Sequence, residues 1–298
     1  MSSRILPEFD LLIPQSLDEA KDMLADLGDQ VTVMAGGTDV LVALKGRLRP
    51  DHVLALSEVP GLDYIDYDTD QGLRIGALAN LTSVLASPAI KGKYPALWES
   101  AYVHGTPQTR ERATVVGNIL RGSPAGDCSC AVLALGGTLV FDSVGGRREV
   151  TIDDVWVDYR VTARRPDEVA VELRLPVLGA DSYSVFGRLT RTYEDLAKLN
   201  AAVRIDLDGE TCRDARIAIG CVGPTLRRLP DVEAMLRGHR LDNRVLDEIK
   251  AAVADQIEPI DDVRSTAEYR RTVAGPFICR LLRRIRAEAG LEGELKVV

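Results

Sequence analysis

Met34-Ala35-Gly36-Gly37-Thr38-Asp39 and Thr114-Val115-Val116-Gly117-Asn118, the second running on to Ser123-Pro124-Ala125-Gly126-Asp127, decide how the rest of the chain is read. Each stretch puts small residues where a backbone must turn tightly or lie close to a ligand. Each also carries Thr, Asn or Asp, whose side chains bond hydroxyls and backbone groups. Two such loops facing one another can hold the pyrophosphate of a dinucleotide without a helix of the Rossmann kind. The surrounding order agrees. Ser16-Leu17-Asp18-Glu19 is a capping box in which the Ser hydroxyl accepts from the N3 amide and Glu19 reaches back. Leu17, Ala20, Met23, Leu24 and Leu27 then share one helical face, and Gly28 ends the helix. Val31 to Met34 reads as a short buried strand entering the first glycine stretch, so the order is helix, strand, glycine turn. The Rossmann order is strand, glycine turn, helix with G-x-G-x-x-G. That fingerprint is absent, as is the P-loop pattern.

Composition bounds the function. The 298 residues suit one large or two medium domains, and 46% hydrophobic residues are enough for a substantial core. A net charge of -8, from 37 basic and 45 acidic residues, argues against a nucleic-acid partner, which would require a basic face. No apolar run reaches the roughly 18–20 residues of a transmembrane helix. The segment Met1 to Pro7 lacks the apolar stretch of a signal peptide. A cytoplasmic protein is expected. The five cysteines, Cys128, Cys130, Cys212, Cys221 and Cys279, include no Cys-x-x-Cys pair, so neither a disulfide framework nor a metal or iron–sulfur site is expected in this chain. The three histidines, His52, His104 and His239, are scattered and suggest no zinc site.

Further along, Val53 to Leu56 reads as a strand. Leu62 to Tyr67 and Leu73 to Leu78 read as strands joined by a turn at Asp68 to Gly72. Helices are expected at Leu81 to Ala86 and Ala96 to Val103, then an apolar stretch from Cys130 to Leu135 after the second glycine stretch. Thr138 to Phe141 and Arg148 to Ile152 flank Gly145-Gly146 as a hairpin. Val169 to Leu175 alternates apolar and charged residues, as a half-buried strand does. A boundary falls at Val177 to Ser182. Beyond it, strands at Ser184 to Leu189, Ala201 to Leu207 and Ala215 to Cys221, with a turn at Asp208-Gly209, precede helices at Val232 to Arg237, Arg244 to Asp255 and Ala267 to Ala289. This half reads as a three-stranded antiparallel sheet backed by helices.

These segments together resemble the FAD-binding medium subunit of the molybdenum hydroxylases, the xanthine dehydrogenase and carbon monoxide dehydrogenase group. Ala35-Gly36-Gly37-Thr38-Asp39 fits the family's A-G-G-T-[DS]. Thr114-Val115-Val116-Gly117-Asn118 resembles its T-[IL]-G-G-N, with Val116 in place of a glycine. Ser123 to Asp127 is similar to S-P-x-x-D, Arg191 with Asp195-Leu196-Ala197-Lys198 to R-x-x-x-D-[IL]-A-K, and Ser265 to Arg270 to S-A-E-Y-R with Thr266 as an extra residue. The resemblance implies an α+β fold: a two-lobed FAD-binding domain of the vanillyl-alcohol-oxidase/PCMH type at residues 1–177, with lobes at about 1–55 and 56–177, and a C-terminal domain at 178–298. It implies FAD in this chain, a small partner subunit with [2Fe-2S] clusters and a large one with the molybdenum cofactor, in a dimer of heterotrimers. Electrons then pass from the clusters through FAD to NAD, a quinone or another acceptor. The branch with an extra iron–sulfur cluster carries a cysteine-rich insertion in this subunit, which is absent here.

The same resemblance assigns residues. The amides of Gly36, Gly37 and Thr38 form an anion nest for the pyrophosphate, and the Thr38 hydroxyl donates to a phosphate oxygen. Asp39 is expected on loop amides or a hydroxyl, and Val33, Met34, Ala35 and Val40 complete the first wall. Thr114, Gly117 and Asn118 form the second wall, Asp127 accepts from ribose or ribityl hydroxyls, and His104 packs on adenine or the flavin ring. Leu196 faces the isoalloxazine, and Arg188 supplies the positive charge of a Lys that relatives carry where Gly187 stands. A β-branched residue disfavours φ > 0, so Val116→Gly is expected to keep FAD affinity level or raise it. Two other readings stay open at this point: a self-contained flavoenzyme on the same fold, and a structural subunit without cofactor.

Overall fold

The computed structural model describes residues 6–291, so Met1 to Ile5, most of the segment considered for a signal peptide, and the last residues of the C-terminal domain lie outside the described residues. The chain begins with strand β1 (Asp10–Leu12), helix α1 (Leu17–Leu27), strand β2 (Val31–Met34), helix α2 (Val40–Lys45) and strand β3 (His52–Ala55). The three strands form a parallel sheet in the order β1-β3-β2. Ser16 caps α1 through its hydroxyl, which accepts from Glu19 N at 3.1 Å, while Glu19 reaches back to Gln15 N at 2.6 Å, one residue earlier than in the usual box. Gly28, at φ +54°, ends the helix. Neither β1 nor α2 is anticipated from the sequence: each is short, and α2 stops at Gly46 after six residues.

A five-stranded antiparallel sheet follows, in the order β4-β5-β10-β6-β7. Its strands are β4 (Ile65–Asp68), β5 (Gly72–Gly76), β6 (Thr138–Ser143), β7 (Gly146–Thr151) and β10 (Val169–Leu175). A small hairpin, β8 (Trp156–Asp158) with β9 (Val161–Thr162), precedes β10. The central strand β10 is buried on both sides rather than half-buried. Val169 and Val171 pack with Ala20, Leu24 and Leu54 of the first lobe, whereas Ala170, Leu173 and Leu175 pack on the helical side. Its charged residues survive in that setting because they are paired: Tyr64 and Arg174 both bond the Glu172 carboxylate, and Arg174 also bonds Glu149.

Six helices lie between β5 and β6: α3 (Leu81–Ala86), α4 (Pro88–Lys93), α5 (Pro95–Tyr102), α6 (Pro107–Arg110), α7 (Val115–Leu120) and α8 (Asp127–Leu135). The apolar stretch expected after the second glycine segment is α8, and every one of its residues is buried. The second half is an antiparallel sheet of β11 (Ser182–Leu189), β12 (Leu199–Asp208), β13 (Thr211–Gly220) and a two-residue fourth strand β14 (Arg227–Arg228). The sheet is therefore four-stranded, with the three expected strands as its body. Helices α9 (Pro230–Leu236), α10 (Asn243–Ala252) and α11 (Ala267–Glu288) cover one face, where Val185, Val203, Ile205, Ile217 and Ile219 point. Phe186, Ala202 and Ala218, one residue out of phase, face α5 and α8 on the other side and join the core of the first half. Two arginines of this sheet cap the carboxyl end of α8. Arg204 Nη1 donates to Leu135 O at 2.9 Å and Arg216 Nη2 to Leu133 O at 3.0 Å, which also suits the negative end of the helix dipole.

No helix among the described residues is long and apolar enough to cross a membrane. Among them, no group of three or more His, Cys, Asp or Glu could hold a metal ion. The five cysteines are free and buried. Burial pushes the thiols of Cys128, Cys212 and Cys221 up to about 12.

Candidate cofactor-binding cleft

The turn between β2 and α2 lies against the backbone of residues 112–113, just before α7. A Cβ on Gly36 would stand 1.5 Å from Arg112 O, so no larger residue fits there without moving the loop. Gly37 has φ +76°, the left-handed region, whereas Gly36 does not; close approach and backbone handedness are thus divided between the two glycines. This packing brings the two glycine stretches together across a cleft of about 360 Å³. Val33, Ala35, Gly36, Gly37, Thr38, Asp39 and Val40 line one side, and His104, Thr114, Val116, Gly117 and Asn118 line the other. Met34 lines a smaller adjoining cavity of about 280 Å³ with Leu41, Ser57 and Arg112, so the glycine loop is the wall between two cavities.

The second stretch is a helix, not a loop. Thr114 is the N-cap of α7, with its hydroxyl accepting from Gly117 N at 2.9 Å. Val116 is therefore helical and needs no positive φ, and its side chain packs into the core at 3% exposure. Asn118 ties α7 to α8: its Oδ1 accepts from Ser129 N at 3.0 Å and from Ser129 Oγ at 2.9 Å. Arg110 Nη1 bonds the carbonyls of Tyr102, His104 and Gly105 and fixes the turn that presents His104 to the cleft. Burial holds the His104 imidazole below its ordinary range, against the pull of Asp127 and Asp39 toward the charged form.

Three expected contacts line neither cavity. Asp127 is 5% exposed at the start of α8, and its carboxylate is engaged by Arg188 Nη1 at 3.0 Å and Asn200 Nδ2 at 2.8 Å. Burial pushes this carboxyl above its usual range, against the opposing pull of Asn200 and Arg188. Arg188 also bonds Tyr193 O and lies over the Tyr193 ring, 5.7 Å from its centroid. A Cβ on Gly187 would meet Phe277 at 3.0 Å and Leu281 at 3.1 Å, on the α11 face of β11, whereas Arg188 reaches Asp127 on the other face. Leu196 is 66% exposed in the segment between β11 and β12. That segment is held from below by Arg270, 1% exposed, whose guanidinium donates to Lys198 O, Ile260 O and the Asp262 carboxylate. The extra Thr266 in the C-terminal signature is the N-cap of α11, its hydroxyl accepting from Tyr269 N at 3.2 Å.

Sequence reasoning missed Arg121, Arg160, Arg164 and Glu168, which also line the cleft. Arg121, three residues after Asn118, bonds Asp39, so Asp39 meets a guanidinium rather than a loop amide. Arg160 and Arg164 come from the β8–β9 hairpin and the segment after it, which carry no motif. Among the described residues, the amides of Gly36, Gly37 and Thr38 have no protein hydrogen-bond partner. Unpaired backbone donors at the wall of a cleft fit an anionic ligand of the pyrophosphate kind.

This architecture is that of an FAD-binding domain joined to a flavoprotein C-terminal domain. Residues 7–178 match the FAD binding domain in molybdopterin dehydrogenase, and the chain belongs to that family. Residues 184–285 match the CO dehydrogenase flavoprotein C-terminal domain. The chain is 29% identical over 279 residues to the carbon monoxide dehydrogenase medium chain of Hydrogenophaga pseudoflava, covering 93% of this chain and 97% of that one. It is 30% identical over 286 residues to the nicotine 6-hydroxylase medium subunit of Paenarthrobacter nicotinovorans, covering 96% and 98%. Among solved structures, it superposes with TM-score 0.91 and 30% identity on a chain of carbon monoxide dehydrogenase from Hydrogenophaga pseudoflava, over 95% of this chain and 99% of that one.

Proposed function

We propose that this chain is the FAD-carrying electron-transfer subunit of a molybdenum hydroxylase complex, taking electrons from [2Fe-2S] clusters of a small subunit and passing them to NAD, a quinone or another acceptor. A large subunit with the molybdenum cofactor performs the hydroxylation, within a dimer of heterotrimers. The carrying observation is the cleft itself, lined by the Gly36 turn, whose amides have no protein partner among the described residues, and by the Thr114-capped helix, in a chain that aligns over 93% of its length with a medium chain. FAD, when bound, supplies the redox chemistry.

The protein's part is binding and orientation. In this reading residues 1–177 hold the cofactor, in lobes of about 1–55 and 56–177, and residues 178–298 are the C-terminal flavoprotein domain. Val33 to Val40, Thr114, Gly117 and Asn118 grip the dinucleotide, with His104 as a neutral, flat contact for a ring. Asp127, Arg188 and Leu196 belong to the flavin end, where Arg188 is held by Asp127. The five free thiols agree with a reducing, cytoplasmic setting. Co-expression with the chains encoded beside it is the test. The expected complex carries FAD, iron–sulfur and molybdenum cofactor in separate chains, with bleaching of the flavin absorbance on adding substrate anaerobically. An active complex in which this chain is flavin-free overturns the reading.

A further inference from the structure

The two glycine stretches offer dipoles and hydroxyls, whereas a pyrophosphate brings formal negative charge into a partly enclosed cleft. A cation is the natural complement, and the cleft holds three arginines with different surroundings. Arg164 Nη1 donates to the carbonyls of Arg165, Pro166 and Glu168, so it is committed to its own loop. The Arg160 guanidinium lies over the Tyr159 ring, 5.0 Å from its centroid, on the β8–β9 hairpin. Arg121, unlike Arg160, is anchored among the described residues by an ion pair to another cleft residue: its Nε donates to Asp39 Oδ1 at 2.9 Å, and neither Nη1 nor Nη2 has a protein hydrogen-bond partner.

One end of this ion pair belongs to the first glycine stretch and the other to the helix that grows out of the second. Asp39 is the N-cap residue of α2 and directly follows the turn with the unpaired amides, whereas Arg121 is the C-cap residue of α7. One interaction therefore bridges positions 82 residues apart, across the cleft that both residues line. An arginine held by its Nε edge keeps its two outer nitrogens for a second oxyanion, and guanidinium–phosphate pairing is charge-assisted and frequently bidentate. Asp39 would by itself repel a phosphate; bonded to Arg121 it is neutralised and fixes the guanidinium in place.

We propose that Arg121 is the cation that pairs with the cofactor's pyrophosphate, with Asp39 as its positioning residue. This rests on the FAD reading above and adds to it a residue and a role that neither glycine stretch contains. The test uses the full-length chain stripped of flavin and titrated with FAD, ADP and riboflavin, the last having no phosphate. Arg121→Gln is expected to weaken FAD and ADP by about tenfold to a hundredfold, to leave riboflavin unchanged, and to flatten the salt dependence of FAD binding. Arg121→Lys keeps the charge but not the fork and is expected to fall between. Asp39→Asn is expected to weaken FAD by a smaller factor and to keep the salt dependence, since the cation remains. Should Arg121→Gln not fold, Arg121→Lys decides: wild-type ADP affinity in that variant overturns the proposal. Wild-type chain that binds FAD, with Arg121→Gln binding FAD and ADP equally well, overturns the proposal and leaves the FAD reading standing. Wild-type chain that binds no FAD sinks both.

Discussion

Val116 stands where the related motif has glycine, and the backbone there is helical. Its side chain touches both the cleft and the main core. The expectation drawn from sequence, that Val116→Gly would keep or improve FAD affinity, loses its basis, because no left-handed conformation is required. The exchange would remove buried apolar surface and place glycine inside α7, costing about 2 kcal/mol. A lowered urea midpoint at unchanged m-value, with FAD binding weaker rather than stronger, is the expected result; equal stability would show that α7 does not pack as described. The sequence carried the first stretch well, since the sterics of Gly36 and Gly37 are local. Arg121 was legible only in hindsight. Its partner Asp39 is 82 residues away, and one arginine beside a motif carries no period or spacing to mark it.

At the scale of elements, α8 connects the cleft to the second sheet. Its first turn holds Asp127 and receives Asn118 from α7, and its last turn ends on Arg204 and Arg216. Arg204 is 9% exposed and also pairs with Asp214 and Asp206. Arg204→Met would keep the buried stem but leave Leu135 O and two carboxylates short of a partner, at a cost of about 2–4 kcal/mol. Urea unfolding of the full chain measures it, and a loss under half of the lower figure would mean that water replaces the guanidinium freely. Elements with a local signal were readable beforehand: α1 from its capping box, the β12–β13 hairpin from Asp208-Gly209, α11 from its length. Those set by tertiary packing were not. Strand β1 has three residues, β14 has two, and α7 is hidden inside what reads as a glycine loop. The alternation of β10 suggested one wet face, whereas a helical layer and the first lobe cover both; periodicity cannot report a second layer supplied from elsewhere in the chain.

At the scale of the molecule, the two halves share one interior. Phe186, Ala202, Ala218 and Leu226 belong to the same cluster as the helices beneath the cleft, and Glu99 of α5 bonds both Phe186 N and Arg284 of α11. The five buried thiols are distributed through this interior, two on α8 and three on or beside the second sheet and its helices. A thiol that is buried and held far above neutral pKa is invisible to alkylating reagents until its surroundings open. The cysteines therefore amount to a set of clocks already installed in the native sequence. Pulse labelling followed by mass analysis would time the opening of each neighbourhood separately. Ligand that seals the cleft should slow the clocks at Cys128 and Cys130, which ride on the helix tied to Asn118, more than the one at Cys279, which sits on α11 against Leu246 of α10. Uniform slowing at all of them would instead mean that the chain opens only as a single cooperative unit, with no private exit for its cofactor.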